Sequence, residues 1–205
     1  DLISPQYISD LISWGAIGAR TAESQVHREL TSGLSCPMGI KNSTNGDLQV
    51  AVDAMKSAKY QHVFLGTTKQ GKVAIFKTSG NDDTHIILRG GEKPNYDASD
   101  IEQCISTLAE EKTNMNLMVD FSHGNSQKNH ENQKIVCKSI AEQIEKGNKH
   151  ITGVMIESHL KEGNQKMSEN LEYGKSITDS CICWEETKQL IKKLADSVKK
   201  RREIG

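Results

Sequence analysis

The chain has 205 residues, enough for one domain with a substantial core. Its formal net charge of -1 provides no basic field for a nucleic-acid partner, and no apolar run is long enough for a membrane span. The five cysteines are odd in number and thinly spread, so we expect reduced thiols and not a disulfide framework. No signal peptide is visible, and we expect a cytoplasmic protein.

The first third of the sequence predicts alternating helices and short strands. Ser4-Pro5, followed by apolar residues at helical spacing, predicts a helix that Gly15 ends. The apolar run 16–19 predicts a strand leading to Arg20, and 37–40 predicts a strand leading to Lys41. Each strand precedes a predicted helix, the first stopped near Gly33 and the second carrying Leu48, Val52 and Met55.

The segment 62–79 has a different pattern. The apolar runs "HVFLG" and "KVAIFKT" flank "TTKQG", a turn that contains glycine. This arrangement predicts a β-hairpin. Because it interrupts the alternation of strands and helices, we interpret it as an insertion.

Three more strands are predicted in the remaining chain. "HIILRGG" leads to Arg89, "LMVDFSHGN" to His123 and "ITGVMIES" to Glu157. A helix is predicted after each of these strands. Ser99 and Glu102 form a capping box at the start of the first helix, and the second carries apolar residues at 136, 140 and 144. The third lies near the C-terminal end. Asp179 lies in the polar loop before the last helix.

Short apolar strands alternating with helices are typical of a parallel sheet buried on both faces. No GxGxxG motif follows a strand and no P-loop is present, so a nucleotide-binding doubly wound sheet is not favoured. We predict an α/β fold of the (β/α)8 TIM-barrel type, in which 1–205 is a single domain with about five C-terminal βα units plus the inserted hairpin 62–79. The helix-first start, at Asp1 rather than a methionine, predicts that about three units precede this chain.

Every predicted parallel strand leads to an ionisable residue, and in such barrels the C-terminal strand ends carry the active site. Arg20, Lys41 and Arg89 suit a phosphate or carboxylate, although ion pairs with neighbouring helices are the structural alternative. His123, Glu157 and Asp179 offer one nitrogen and two carboxylates, which suit Mn²⁺, Fe²⁺ or Zn²⁺. The alternative without a metal is a hydrogen-bonded His–Glu pair.

Five blocks carry a family resemblance over essentially the whole chain: "GAIGARTAESQVHRELTSGLSCPMGIKN", "HIILRGGEKPNY", "MVDFSHGNSQK", "GVMIESHLKEGNQ" and "YGKSITDSCICWEET". The sequence resembles the type I 3-deoxy-D-arabino-heptulosonate 7-phosphate (DAHP) synthases. The resemblance implies a (β/α)8 barrel that joins phosphoenolpyruvate to erythrose 4-phosphate. This reaction is the first step of the shikimate pathway to the aromatic amino acids.

The resemblance also implies roles for individual residues. Arg20 and Arg89 correspond to ligands of the phosphoenolpyruvate phosphate, assisted by the Ala19 amide, and Lys41 corresponds to the lysine at its carboxylate. Three metal ligands correspond to His123, Glu157 and Asp179, for Mn²⁺, Fe²⁺, Zn²⁺ or Co²⁺. Lys41 and His123 are the expected catalytic residues.

The family has a further metal-ligating cysteine on its first strand and a lysine- and arginine-bearing motif after its second strand. Neither segment is present in the 205 residues. We therefore expect this chain by itself to be catalytically silent, although the intact protein should be active.

Regulation and assembly are also implied by the resemblance. Ser35 and Phe64 correspond to positions near the family's effector site for tyrosine, phenylalanine or tryptophan, with ordinary packing as the structural alternative. Family members are homodimers or homotetramers.

Two other functions are open at this point. The related octulosonate 8-phosphate synthases use phosphoenolpyruvate with arabinose 5-phosphate, although "GARTAESQVHREL" and "SITDSCICWEET" favour the heptulosonate enzyme. The second alternative is a non-catalytic barrel fragment that only binds a ligand or a partner.

Overall fold

A computed structural model describes residues 2–204 and shows an α/β fold in which strands and helices alternate. Two single turns of 3-10 helix cover Ser9–Leu11 and His130–Asn132. The strands are β1 Gly15–Ile17, β2 Met38–Lys41, β3 Val63–Thr67, β4 Val73–Lys77, β5 Thr84–Leu88, β6 Leu117–Asp120, β7 Ile151–Met155, β8 Ser158–His159 and β9 Ile182–Cys183. The helices are α1 Gln25–Ser32, α2 Gln49–Lys59, α3 Ala98–Glu110, α4 Gln133–Glu145 and α5 Trp184–Ile204.

Five strands form one parallel sheet in the order β1-β2-β5-β6-β7. Gly15 of β1 is in register with Met38 of β2, which is in register with Thr84 of β5. Among residues 2–204 the sheet is not closed into a barrel. The prediction of a parallel α/β fold is therefore confirmed.

The antiparallel strands β3 and β4 stand apart from this sheet and pair with Phe64 opposite Phe76. They lie within the segment 62–79, for which a hairpin was predicted. The short strands β8 and β9 form a third sheet, with Ser158 in register with Ile182.

The chain divides into two compact units. The first contains 1–87 and 104–117, and the second contains 88–103 and 118–205. In the first unit, α2 buries an apolar face that includes Val52 and Met55, and β5 contributes Ile86 and Ile87 to the core. In the second unit, α4 buries the apolar positions 136, 137, 140, 141 and 144. The arrangement in one domain stays a prediction.

Local sequence accounts for the starts and ends of several helices. Ser24 accepts a hydrogen bond from the backbone of His27 and so caps α1, and Gly33 ends that helix. Gly147 follows α4 with a φ of 96°, a left-handed conformation that glycine adopts without a steric cost.

The helix predicted after Ser4-Pro5 is wrong. The structure has only the 3-10 turn at Ser9–Leu11 there, and Gly15 begins β1 instead of ending a helix. Leu11 is 85% exposed whereas Ile12 packs against buried residues of the core, so the predicted apolar face is not buried as one surface. Short helices depend on such packing for their stability, which explains the absence of this one.

None of the helices within residues 2–204 combines the length and the apolar character that crossing a membrane would require.

Candidate metal centre

The chain after β6 makes a tight turn around the buried carboxylate of Asp120. Its Oδ1 accepts a hydrogen bond from the Ser122 amide at 2.9 Å, and the Asn125 side chain donates to its backbone carbonyl at 2.8 Å. His123 has a φ of 54°, a left-handed conformation that non-glycine residues seldom adopt. The turn brings the His123 ring back over the end of the strand.

This turn directs the two ring nitrogens of His123 to different partners. Nδ1 lies 2.8 Å from Oδ2 of Asp120, whose side chain is fully buried, although the two groups are not aligned as a hydrogen bond. Nε2 lies 4.0 Å from Oε1 of Glu157 and 3.7 Å from Oδ2 of Asp179. A carboxylate beside one nitrogen favours a proton there and leaves the other as a lone-pair donor.

Three ligand atoms from His123, Glu157 and Asp179 lie within 4.8 Å of one another. Donor atoms around an ion with bonds of about 2.1 Å are separated by roughly 3 to 4 Å, so the spacing fits a shared cation. A distance of 4.0 Å between His123 Nε2 and Glu157 Oε1 is too long for a hydrogen bond. The geometry thus disfavours the His–Glu pair and suits a borderline divalent ion held by nitrogen and oxygen.

The elements explain why these three side chains meet. Glu157 lies two residues after β7, and Phe121 after β6 donates its amide to the Met155 carbonyl at 2.9 Å, which brings the two strand ends together. Asp179 lies in the loop before β9, and the Ile182 amide at the start of that strand donates to the Glu157 carbonyl at 3.1 Å.

The sequence predicted the three residues of this cluster but not the contact between His123 and Asp120. The carboxylate three residues before the histidine was the available signal.

Arg89 lies directly after β5 and belongs to the same compact unit as the cluster. Its carbonyl accepts hydrogen bonds from the amides of Gly124 at 3.0 Å and Asn125 at 3.3 Å. Gly90 has a φ of 72°, and a Cβ at that position would lie 2.6 Å from the Asn125 nitrogen. Glycine is therefore required where the Arg89 loop meets the His123 loop.

The other predicted anion ligands lie in the first unit. Ala19 and Arg20 follow β1 in a turn where the Thr21 amide donates to the Gly18 carbonyl at 3.0 Å, and Arg20 is exposed. Lys41 is half-buried at the last position of β2. The convergence of Arg20, Lys41 and Arg89 on one anion stays a prediction.

Ser35 and Phe64 lie near a cavity of about 480 Å³ in the first unit. Ser35 is exposed between α1 and β2 and lines this cavity together with neighbours from 32–34 and 76–83. Phe64 is half-buried in β3 and stacks on Phe76, with ring centroids 5.9 Å apart. A Cβ on Gly33, two residues before Ser35, would lie 3.5 Å from the Phe64 side chain. Phe64 therefore lies close to the segment that carries Ser35.

A second group that could hold a cation consists of His130, Glu131 and Glu162. Glu131 already pairs with the Lys134 ammonium at 2.7 Å, which lowers the pKa of its carboxyl group and supplies its counter-charge. Glu131 therefore already has a counter-charge within the protein, which makes this group a weaker candidate for a cation.

The cysteines take no part in the candidate metal centre. All five are free thiols, and Cys181 is buried while Cys183 is half-buried. Burial raises the pKa of Cys104 to about 12 and that of Cys137 to about 11, so both remain protonated and serve as packing groups.

The comparisons with known proteins agree on one family. The model of the DAHP synthetase I family matches residues 1–192. The Phe-sensitive phospho-2-dehydro-3-deoxyheptonate aldolase of Escherichia coli K12 is 55% identical over 204 residues, 98% of this chain and 58% of that protein. The Trp-sensitive aldolase of the same strain is 53% identical over 203 residues, again 98% of this chain and 58% of that protein.

A solved structure gives the same result. The phospho-2-dehydro-3-deoxyheptonate aldolase of Francisella tularensis SCHU S4 superposes with a TM-score of 0.92 and 55% identity, over 98% of this chain and 59% of that one. The chain thus spans a little under three fifths of the length of the relatives it matches. With a family match over nearly its whole length, the chain belongs to the DAHP synthetase I family.

Proposed function

We propose that the intact protein containing this chain condenses phosphoenolpyruvate with erythrose 4-phosphate to give DAHP and phosphate. Membership of the DAHP synthetase I family supports the reaction, because the two Escherichia coli relatives carry the corresponding aldolase name. The observation that carries the proposal is the cluster of His123, Glu157 and Asp179 in a chain of this family. This reaction is the first step of the shikimate pathway.

The five βα units are part of a (β/α)8 barrel in this proposal. Support comes from the parallel order β1-β2-β5-β6-β7 and from a superposition of 98% of the chain on a longer relative. In a barrel, residues at the C-terminal strand ends face one active site. Lys41, Arg89, His123 and Glu157 all end or follow strands of this sheet.

A divalent ion, Mn²⁺, Fe²⁺, Zn²⁺ or Co²⁺, would be held by His123 Nε2 and by carboxylate oxygens of Glu157 and Asp179. When bound, such an ion supplies Lewis acidity to the aldehyde oxygen of erythrose 4-phosphate. Asp120 keeps the proton of His123 on Nδ1, so that Nε2 is free to bind. His123 and Glu157 are half-buried whereas Asp179 is exposed, so water reaches the site from the Asp179 side.

Phosphoenolpyruvate is held by the cationic residues. Arg20 and Arg89 bind its phosphate with guanidinium forks, the Ala19 amide adds a hydrogen bond, and the Lys41 ammonium pairs with its carboxylate. C3 of phosphoenolpyruvate forms a bond to the aldehyde carbon, a water adds at C2, and phosphate leaves with cleavage of the C–O bond. The fixed charges of these residues stabilise the charge that develops on the substrate during these steps.

An aromatic amino acid regulates the protein in this proposal, with Ser35 and Phe64 at its site. The cavity of about 480 Å³ beside Ser35 supports this role, since it is large enough for one amino acid. The Phe- and Trp-sensitive names of the two Escherichia coli relatives also support it. The intact protein is a homodimer or homotetramer.

The test is a product assay on the purified intact protein. Phosphoenolpyruvate is supplied with erythrose 4-phosphate or with arabinose 5-phosphate, and the sugar acid is identified by mass. We expect DAHP from the first pair and no product from the second. An octulosonate product would identify the related synthase, and the absence of both products would leave a binding role.

A further inference from the structure

The side chain of Gln133 forms a two-point contact with the backbone of Glu157. Gln133 is the first residue of α4, and its side chain is fully buried. Its Nε2 donates to the Glu157 carbonyl at 3.0 Å, and its Oε1 accepts from the Glu157 amide at 3.0 Å. One planar amide thus binds both polar groups of one backbone residue.

This contact adds to the backbone hydrogen bond that Glu157 already forms. The strand β7 ends at Met155, so Glu157 lies beyond it, and its carbonyl also accepts from the Ile182 amide at 3.1 Å. The Glu157 amide is held by Gln133 Oε1, and a buried backbone donor needs such an acceptor. Two parallel hydrogen bonds to a rigid, fully buried side chain fix the orientation of the Glu157 peptide and hence the direction of its Cα–Cβ bond.

The chemistry of the contact suits an amide. A carboxamide carries a donor and an acceptor side by side in one plane, whereas an ionised carboxylate in the same place would face the Glu157 carbonyl with a second acceptor. An apolar replacement would leave both backbone groups of Glu157 without this partner. Fully buried glutamines are uncommon, and this one is used entirely on Glu157.

We propose that Gln133 is a positioning residue that holds the Glu157 carboxylate in the geometry needed to bind the divalent ion. This inference rests on the proposed metal site. Groups that orient metal ligands typically change affinity by about 10- to 100-fold when removed. Gln133 acts through the backbone of the ligand, whereas Asp120 acts through the ring of His123.

The experiment measures Mn²⁺ affinity of the intact protein, by electron paramagnetic resonance of the free ion, for wild type and Gln133→Met. We expect the Kd to rise by about 10- to 100-fold. The visible spectrum of bound Co²⁺ should also change, because the ligand geometry changes. Gln133→Glu keeps the acceptor for the Glu157 amide and should give a smaller rise, which also provides a folded variant if Gln133→Met does not fold.

Gln143 provides the matched control. It is also a buried glutamine of α4, but its amide donates to the Tyr96 carbonyl at 2.8 Å. Gln143→Met should lower thermal stability without changing the Mn²⁺ Kd or the Co²⁺ spectrum. A wild-type Kd in both Gln133 variants, or an equal loss in Gln143→Met, would overturn the proposal. A wild-type protein that binds no Mn²⁺ would instead refute the metal site itself.

Discussion

At the residue scale, the candidate metal centre depends on His123 and its unusual backbone. The left-handed φ of 54° is a conformation that costs free energy for a residue other than glycine. It allows Nδ1 to lie beside the buried Asp120 carboxylate while Nε2 faces Glu157 and Asp179. A strained residue with a fixed ring is typical of a ligand that must be oriented before its ion arrives.

Replacing His123 with alanine should remove the metal from the intact protein. The ligands that remain hold a borderline ion poorly without the nitrogen of His123, so we expect the Mn²⁺ Kd to rise by about 100-fold or more and DAHP formation to be lost. Isothermal titration calorimetry measures the change. His130→Ala is the control, because His130 belongs to the second acidic group. If His130→Ala loses the ion and His123→Ala keeps it, the metal binds at the group of His130, Glu131 and Glu162 and not at the cluster of His123.

The Arg89→Ala substitution should weaken phosphoenolpyruvate binding. A charge-assisted bond between guanidinium and phosphate contributes about 1.5–3 kcal/mol, which corresponds to a rise in KM of about 10- to 100-fold. Arg89→Lys should restore only part of this loss, since an ammonium cannot form the fork. Steady-state kinetics with phosphoenolpyruvate varied provide the measurement.

Arg201 serves as the control for this prediction, because its guanidinium donates to the backbone carbonyls of Asn148 and Ile151. Arg201→Ala should affect stability and leave the KM unchanged. An Arg89→Ala enzyme that saturates with phosphoenolpyruvate like wild type would make Arg89 a structural residue.

At the scale of elements, the loops after β5 and β6 touch backbone to backbone. A Cβ on Gly124 would lie 2.7 Å from the Gly90 carbonyl carbon and from the Gly91 nitrogen. Neither atom can move without shifting Arg89 or His123, which flank these glycines in the sequence. The two loops therefore behave as one rigid support for a predicted anion ligand and a predicted metal ligand.

Gly124→Ala should destabilise this support by about 1–3 kcal/mol, the usual cost of overpacking, and weaken the binding of both metal and phosphoenolpyruvate. Urea unfolding and the two binding measurements are made on the same samples. For the unfolding measurement, a matched control is Gly18→Ala, because its nearest contact would be an ordinary 3.7 Å from Thr21 Oγ1. Equal effects of the two substitutions would show that the close approach has no special role.

Burial of His85, which contacts Trp14, should make the first unit sensitive to pH. Trp14 Nε1 donates to His85 Nε2 at 3.2 Å, and burial lowers the pKa of His85 below its ordinary value of 6.5. Since the folded pKa is the lower one, the unfolded chain binds more protons below pH 6.5. The stabilisation is fully present above that pH and is lost as the pH falls.

The free energy of unfolding should consequently decrease between about pH 7.5 and about pH 5.5, and the decrease should be smaller in His85→Gln. Urea unfolding followed by tryptophan fluorescence provides the measurement, with Trp184→Phe leaving Trp14 as the reporter. Burial also lowers the pKa of His27, so part of the slope should remain. An unchanged slope in His85→Gln would contradict the assignment.

Most of the order of helices and strands was predictable because these elements have local patterns, although the helix after Ser4-Pro5 was wrong and the short strands β8 and β9 were not predicted. Apolar periodicity and glycine stops placed α1 and the later helices, and the five predicted strand ends led to Arg20, Lys41, Arg89, His123 and Glu157. The contacts of His123 with Asp120 and of Gln133 with Glu157 were not predictable. Gln133 lies 24 residues from Glu157 in sequence, and no local pattern specifies which backbone a buried amide will bind.

At the scale of the whole molecule, the chain combines a five-stranded parallel sheet with candidate metal ligands from the segments after β6, after β7 and before β9. Because each candidate ligand comes from a different segment, the proposed metal centre should form only when the chain is folded. This dependence links metal binding to stability: an ion that binds only the folded state raises the unfolding midpoint.

Metal removal is the most direct test of the central claim, that DAHP formation depends on a divalent ion held by His123, Glu157 and Asp179. The intact protein is treated with a strong chelator, transferred to metal-free buffer and assayed for DAHP before and after addition of Mn²⁺. We expect activity to disappear with chelation, to return with about one equivalent of ion per chain, and not to return in Glu157→Gln. Full activity in the metal-free protein would contradict the claim.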